Sequence, residues 1–457
     1  MKHSLFYYFN KVVFKVSIPV FYKRILIRGE ENLNLDKPYM VSMNHPNSFM
    51  DPIAFATFVK PPMRFLARGD AFKPGLKKIL SAVGIIPIFR IKDFGRDGVQ
   101  KNDETFRLVI EQLRKNNPVI IFAEGISIQE RRLRPLKKGC ARIALGAIEE
   151  FNNTDVFVVP VGVNYQNNPS KFRHDIYIEI GKPVSVGEFR KEFHSNKVGA
   201  INHLTLVLQE KMKETVIHIQ HPENDELIEQ IEELILEETL DEQKYKRNDL
   251  KERHEFTKKL CYTVNQLQEE DPDKMISIRE KFNLYFNALH VCGIRDKILR
   301  NDLKTKSGYT SVAFKFLALI TGLPIWLAGV LTNYVPYYIS WKTPGKIVKD
   351  IEWYASFAVV GGTYVFMLYH LLQFSIVASI IGNWIYTAYY ILITVFSGWF
   401  CLHYSPFRKK LFGSIRLLRL KKNQQQYNYL VQKRNELIEE IHGLLNKDQH
   451  LSARAGA

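Results

Sequence analysis

Between residues 29 and 185 the chain alternates short apolar runs with amphipathic stretches. The apolar runs at 39–43, 63–67, 85–89, 119–123, 156–163 and 175–180 read as strands, and the stretches around 52–59, 74–82, 99–115 and 138–151 carry helical spacing. That alternation predicts an α/β domain with a largely parallel sheet. From 186 to 312 the chain turns charge-rich and helical, with Leu227, Ile228, Ile231, Leu234 and Ile235 on one face, and reads as a helical appendage. From 316 to 341, and again from 353 to 407, there is no Asp, Glu, Lys or Arg. Such runs exceed ordinary core helices and predict a membrane region over 313–407. The second run holds a helical hairpin turning near Gly382 and Asn383. The first is broken by Pro324, Asn333 and Pro336, and reads as a single span or as a re-entrant segment at 316–341, the second preferred for the basic residues on both flanks. The tail, 408–457, reads as basic and amphipathic. Residues 1–28 mix Phe, Tyr, Val and Ile with Lys and Arg, in apolar runs too short to span a bilayer. They read as a basic interfacial helix, or as an ordinary amphipathic helix packed on the domain.

Charge narrows the field. The chain has 64 Lys and Arg against 47 Asp and Glu, a formal net charge of +17. Such a balance suits nucleic acid, an anionic membrane or phosphorylated substrates. The apolar runs select the membrane, and no nucleic-acid module is recognised. Lysines before and after the first run, and the Arg and Lys cluster after the second, put those flanks in the cytoplasm by the positive-inside rule. An integral membrane protein with its α/β domain, which the motifs at its strand ends make the catalytic domain, facing the cytoplasm is therefore expected. The four cysteines, 140, 261, 292 and 401, stand apart and read as free thiols, with neither a disulfide framework nor a metal site. No cleavable signal peptide is expected.

Candidate chemistry sits at the ends of the predicted strands. The stretch from Val41 to Pro52 delivers His45 after a strand and Asp51 before a helix, with Asp51 expected as the N-cap and Pro52 as the first helical residue. A His and a carboxylate at one turn can serve as a general base and the group that orients it; the same pair is also common as a simple structural contact. The strand from Gly84 ends at Arg90, suited to bidentate phosphate contact or to plain solvation. The strand from Val119 ends in Glu124 and Gly125, and Arg131, Arg132, Arg134, Lys137 and Lys138 follow. Those bases before a helix N-terminus can hold an anion or form a solvated loop. Pro160 and Gly162 interrupt the last apolar run, which reads as an edge strand or a bulge.

Taken together, four blocks resemble the glycerolipid acyltransferase family typified by bacterial 1-acyl-glycerol-3-phosphate acyltransferases. They are Asn44 and His45 with Asp51, Gly84 to Arg90, Phe122 with Glu124 and Gly125, and Val158 to Val161, in order over roughly 25–185. Two departures stand out. Five residues separate His45 from Asp51 where the family usually has four, a spacing similar to that of eukaryotic enzymes acting on glycerol-3-phosphate or dihydroxyacetone phosphate, and Ala123 stands where the family usually has Pro.

The resemblance implies a membrane-bound O-acyltransferase of phospholipid synthesis, with an acyltransferase domain at 29–185. The acyl group would move from acyl-CoA or acyl-carrier protein to 1-acyl-glycerol-3-phosphate, making phosphatidic acid, with glycerol-3-phosphate as the alternative acceptor. It implies His45 as base and Asp51 as its orienting group. Arg90, Glu124, Gly125, Arg134 and Lys137 would bind substrate, with no metal and no cofactor beyond the thioester co-substrate. The rival from another class is a non-catalytic membrane scaffold or lipid-binding protein that keeps the fold. Oligomeric state is not legible.

Overall fold

The structure, a computed structural model, describes residues 4–69, 72, 74–89, 97–151, 154–166, 168–242, 249–305 and 308–455. It divides into two compact units, one of Met1–His218 with Ile347–Thr363, the other of Ile219–Lys346 with Tyr364–Ala457.

The first unit is an α/β domain. Its strands are β1 (Arg24–Arg28), β2 (Tyr39–Met43), β3 (Arg64–Arg68), β4 (Ile85–Ile88), β5 (Val119–Phe122), β6 (Phe157–Tyr165), β7 (Asp175–Ile180) and β8 (Val184–Ser185). They form one eight-stranded sheet in the order β1-β7-β6-β2-β5-β3-β4, with β8 beside β6. Neighbours are parallel except that β6 runs antiparallel to β7 and β8. Central β2, buried at all five positions, lies between β5 and β6. Continuous apolar strands of this kind are what a sheet covered on both faces requires. The helices are α1 (Leu5–Phe21), α2 (Met50–Phe58), α3 (Pro74–Ala82), α4 (Asp97–Arg114), α5 (Gly139–Glu150), α6 (Arg190–Ser195) and α7 (Lys197–Lys213).

Several expectations change here. The predicted interfacial helix of 1–28 is α1 followed by strand β1, which pairs with β7. The alternation of Arg24 to Arg28 carries that strand, but it follows α1 with almost no punctuation. Strand β6 is interior rather than an edge. Pro160 sits where its outer partner changes from β8 to β7, and its carbonyl accepts from Gly181 N at 2.8 Å. The missing N–H falls in that gap, so no ladder bond is lost. The unit also extends past residue 185. Ala200, Leu204, Leu208 and Met212 of α7 belong to the same buried core as Val109, Val119 and Ile143.

In the second unit, α8 (Asp225–Glu242), α9 (Leu250–Glu270), α10 (Pro272–Val291) and α11 (Asp296–Thr305) precede α12 (Tyr309–Lys342). Then come α13 (Gly362–Ile381), α14 (Trp384–Lys422) and α15 (Gln424–Ala455). The predicted tail does not stand apart. Arg434 of α15 is buried, donating to Asp296 at 2.9 Å and to Glu238 at 2.9 Å, and Tyr285 donates to Asp296 at 2.6 Å. The guanidinium is thereby paired on two sides, which a buried charge requires.

Three helical stretches among the described residues, Tyr309–Ile347, Ile351–Ile381 and Trp384–Lys422, are long and apolar enough to cross a membrane. The first corrects the expected re-entrant segment, because α12 is one uninterrupted helix of 34 residues through Pro324 and Pro336. Proline in an apolar helix is tolerated where neighbours take up the freed carbonyl. Here Gln373 Nε2 donates to Thr332 O, four residues before Pro336, at 3.4 Å. Helices α12 and α14 run antiparallel in close contact, with Gly329 against Ser397 and Gly322 against Tyr404.

Candidate active site

Strands β2 and β5 are parallel neighbours with Met43 level with Phe122. Two residues beyond each strand end stand His45 and Glu124, so the sheet itself brings the two predicted blocks side by side. This is the carboxyl edge, where open α/β sheets place their ligands. Asn44 fixes the third strand. Its amide donates to Val163 O at 3.1 Å and accepts from Val163 N at 2.7 Å.

The turn between His45 and α2 is tight. Helix α2 begins at Met50, so Asp51 lies in its first turn and not at the N-cap, which is Phe49. The Asp51 carboxylate is released from capping and serves the site. Its Oδ2 lies 2.9 Å from His45 Nδ1 and accepts the Asn47 N–H at 2.8 Å, and its Oδ1 accepts from Tyr165 Oη at 2.8 Å. Asp51 is fully buried, while the His45 side chain is 17% exposed. Three donors around a buried carboxylate compensate its desolvation. Nδ1 then carries the hydrogen, and Nε2 is the nitrogen able to accept a proton. Within the five-residue spacing, Ser48 takes a left-handed φ of 45°. Such a conformation costs a non-glycine residue on the order of 1–2 kcal/mol. The Ser48 N–H donates to Ser127 Oγ at 2.9 Å, which pins it.

A second layer holds these groups. Tyr22, from the segment after α1, accepts from Asn47 Nδ2 at 3.0 Å and donates to Pro169 O at 3.2 Å. Burial, followed by the charge of Asp51, holds the Tyr22 and Tyr165 phenols well above their ordinary range, so both stay hydrogen-bond donors. The His45 ring stacks on Phe122 with centroids 3.7 Å apart. Its carbonyl accepts from Ile128 N at 3.2 Å.

Glu124 is buried beneath this seam. Its two oxygens accept from His45 N at 3.0 Å and Arg134 N at 3.2 Å. The carboxylate thus locks the two loops together through backbone donors. Burial pushes its carboxyl up to about 7, against those two hydrogen bonds. Gly125 follows at φ 71°, the left-handed turn that returns the chain toward Lys137, whose N–H donates to Ala123 O at 2.7 Å.

The predicted anion-binding residues divide. The Arg134 guanidinium pairs with Glu130 at 2.8 Å, and Arg132 pairs with the same carboxylate at 2.6 Å. Lys137 is exposed beside the Gly125 turn. Arg90 lies outside the described residues. Among those residues, no group of His, Cys, Asp and Glu has the arrangement of a metal site. The residues missed in the sequence are Tyr22, Asn47, Ser127 and Tyr165. Tyr165 ends the strand that carries the fourth block, and that position at a strand end is the signal that could have found it.

All four blocks lie within a stretch that matches a family model. Residues 24–164 match the family model described as Acyltransferase. Over 81 residues the chain is 40% identical to "Glycerol-3-phosphate O-acyltransferase 1" of Saccharomyces cerevisiae, covering 18% of this chain and 10% of that protein. It is 28% identical over 162 residues to the chloroplastic "1-acyl-sn-glycerol-3-phosphate acyltransferase LPAT1" of Arabidopsis thaliana, covering 35% of this chain and 41% of that one. The matches therefore span less than half the length of these relatives. Among solved structures, the crystal structure of the 1-acyl-sn-glycerophosphate acyltransferase PlsC from Thermotoga maritima aligns with a TM-score of 0.33 at 19% identity, over 46% of this chain and 79% of that one.

Proposed function

We infer the function from one premise, that residues 24–164 belong to the acyltransferase family. The chain is then a membrane-bound glycerolipid O-acyltransferase that moves a fatty acyl group from a thioester, acyl-CoA or acyl-carrier protein, to a hydroxyl of a glycerol-phosphate acceptor. The observation that carries this reading is the His45 Nδ1 to Asp51 Oδ2 contact at 2.9 Å, at the carboxyl edge of the sheet. His45 Nε2 removes the proton from the acceptor hydroxyl as its oxygen attacks the thioester carbonyl. The imidazolium, steadied by Asp51, then returns that proton to the departing thiolate as the C–S bond breaks. Attack is direct, so the chemistry asks for no Ser or Cys nucleophile. Lys137, and Arg90 after β4, supply positive charge for the acceptor phosphate.

Two acceptors fit. The yeast relative, named as a glycerol-3-phosphate acyltransferase, and the five-residue spacing favour glycerol-3-phosphate. The Arabidopsis relative and the exposed apolar stripe on α1, suited to a lipid surface, support 1-acyl-glycerol-3-phosphate as the second reading. The test is acyl transfer by the purified full chain in vesicles. Labelled acyl-CoA or acyl-carrier protein is offered with each acceptor, for wild type and His45→Ala. Product that vanishes in the variant supports the mechanism and names donor and acceptor. Product that persists unchanged removes His45 as the base. A wild type inert with every pair favours a scaffold that keeps the fold.

A further inference from the structure

We propose that Trp353 and Glu352, far from the acyltransferase blocks in sequence, are positioning residues of the same site. The inference rests on the reading of His45 as the transfer base. The segment Ile347–Thr363 joins the first candidate membrane stretch to the second and includes the start of the latter, yet it belongs to the α/β unit. Helix α13 alone has 20 residues, about 30 Å of rise, enough for the hydrocarbon core without residues 351–361.

The contacts of this segment fall on the seam that builds the site. Two loops meet there: 44–49 after β2 and 123–138 after β5. They are joined by Ser48 N to Ser127 Oγ at 2.9 Å and by Ile128 N to His45 O at 3.2 Å. The segment touches each loop one residue beyond those bonds. The Trp353 ring meets the Phe49 ring edge to face, with centroids 5.0 Å apart and planes at 80°. Glu352 Oε1 accepts from Gln129 N at 3.4 Å, and Ile351 O accepts from Gln129 Nε2 at 3.5 Å and from Ser170 Oγ at 3.4 Å. Phe49 belongs to the longer spacing between His45 and Asp51, directly after the left-handed Ser48. An aromatic ring pressed on a strained turn, together with a carboxylate on the opposite loop, holds both loops in register. An edge-to-face pair stabilises beyond its buried area by an amount of the same order as the strain of a left-handed residue.

The test uses the full chain in vesicles. Trp353→Ala should lower kcat about 10–100-fold, the effect of misplacing a base by a fraction of an ångström to an ångström, with KM for the acceptor nearly unchanged. Trp353→Phe should restore most of the rate. In a Phe49→Ala background, Trp353→Ala should add little, because both act through one contact. Hydrogen exchange at the Ser48 and Ile128 amides should rise in Trp353→Ala and in Glu352→Gln. Unchanged kcat and unchanged exchange in a folded Trp353→Ala protein would overturn the inference, as would a full additive loss in the Phe49→Ala background. A wild type without transfer on any acceptor would count against the function, and the exchange measurement would still decide this inference.

Discussion

Tyr165 donates to Oδ1 of Asp51 at 2.8 Å, on the carboxylate oxygen opposite the one that holds His45. The two residues come from β6 and α2, so the orienting carboxylate is itself oriented by the strand next to β2. Removing the phenol leaves a buried carboxylate one donor short. Tyr165→Phe should cost about 1.5–3 kcal/mol of stability, the range for hydrogen bonds to charged groups. It should lower kcat less than any change at Asp51. Thermal unfolding in detergent and steady-state rates check both.

His45→Ala and Asp51→Asn should each reduce transfer by about 10²–10⁴-fold, the usual range for a positioned acid–base group. Asp51→Asn keeps the shape but offers the imidazole a neutral partner, so its kcat should fall while substrate binding persists. Single-turnover rates with bound acyl donor separate the two effects.

Glu124 gives a pH signature. Its folded-state carboxyl is pushed up to about 7, above the ordinary carboxylate value, so the folded state holds the proton more tightly than the unfolded chain. This contribution to stability is fully present below the unfolded pKa, about 4.3, and is lost as pH rises through about 7. Glu124→Gln should flatten that fall between pH 4 and 7. Melting temperature against pH, in wild type and variant, is the measurement.

Helix α1 presents two apolar faces. Tyr7, Asn10, Phe14, Ile18 and Phe21 are buried, whereas Leu5, Phe9, Val12, Val16 and Val20 stand exposed, Leu5 at 86% and Val16 at 71%. The outer stripe suits the boundary between head groups and acyl chains. Val12→Glu should slow transfer to an acceptor embedded in vesicles while leaving transfer to a water-soluble acceptor unchanged. Rates with the two acceptors, compared in one preparation, decide it.

Direct attack on the thioester predicts resistance to thiol reagents. Cys140 is buried, and burial pushes its thiol up to about 12. Iodoacetamide at pH 7.5 should leave transfer intact, as measured by residual activity beside the extent of labelling.

The sequence carried the parts of the site that lie on one strand end and the turn after it. His45 and Asp51 share a turn, and Glu124 and Gly125 punctuate the next strand, so local chain geometry announced them. What was not legible depends on pairings distant in sequence. Tyr22 and Tyr165 reach the site only because the fold brings their segments against the turn after β2. Glu124 looked like a group aimed at substrate, yet two backbone N–H groups claim it. Arg134 looked like a phosphate ligand, yet Glu130 lies four residues before it on the same loop. Pro160 looked like an edge marker because the switch of partner from β8 to β7 leaves no trace in a single strand. The proline pattern of α12 suggested a break, and the group that takes up the carbonyl freed by Pro336, Gln373, comes from another helix.

The membership of Ile347–Thr363 in the α/β unit bears on the order of events at the ribosome. A unit that closed at His218 could finish folding as soon as that residue cleared the exit tunnel. Here the completing segment emerges 129 residues later, from His218 to Ile347. At 5–20 residues per second that is a delay of roughly 6–26 s. The seam beside His45 stays unbraced through that interval, until Tyr309–Lys342 has been synthesised. The nascent domain is thus kept short of its final form until the first of its candidate membrane helices has been made.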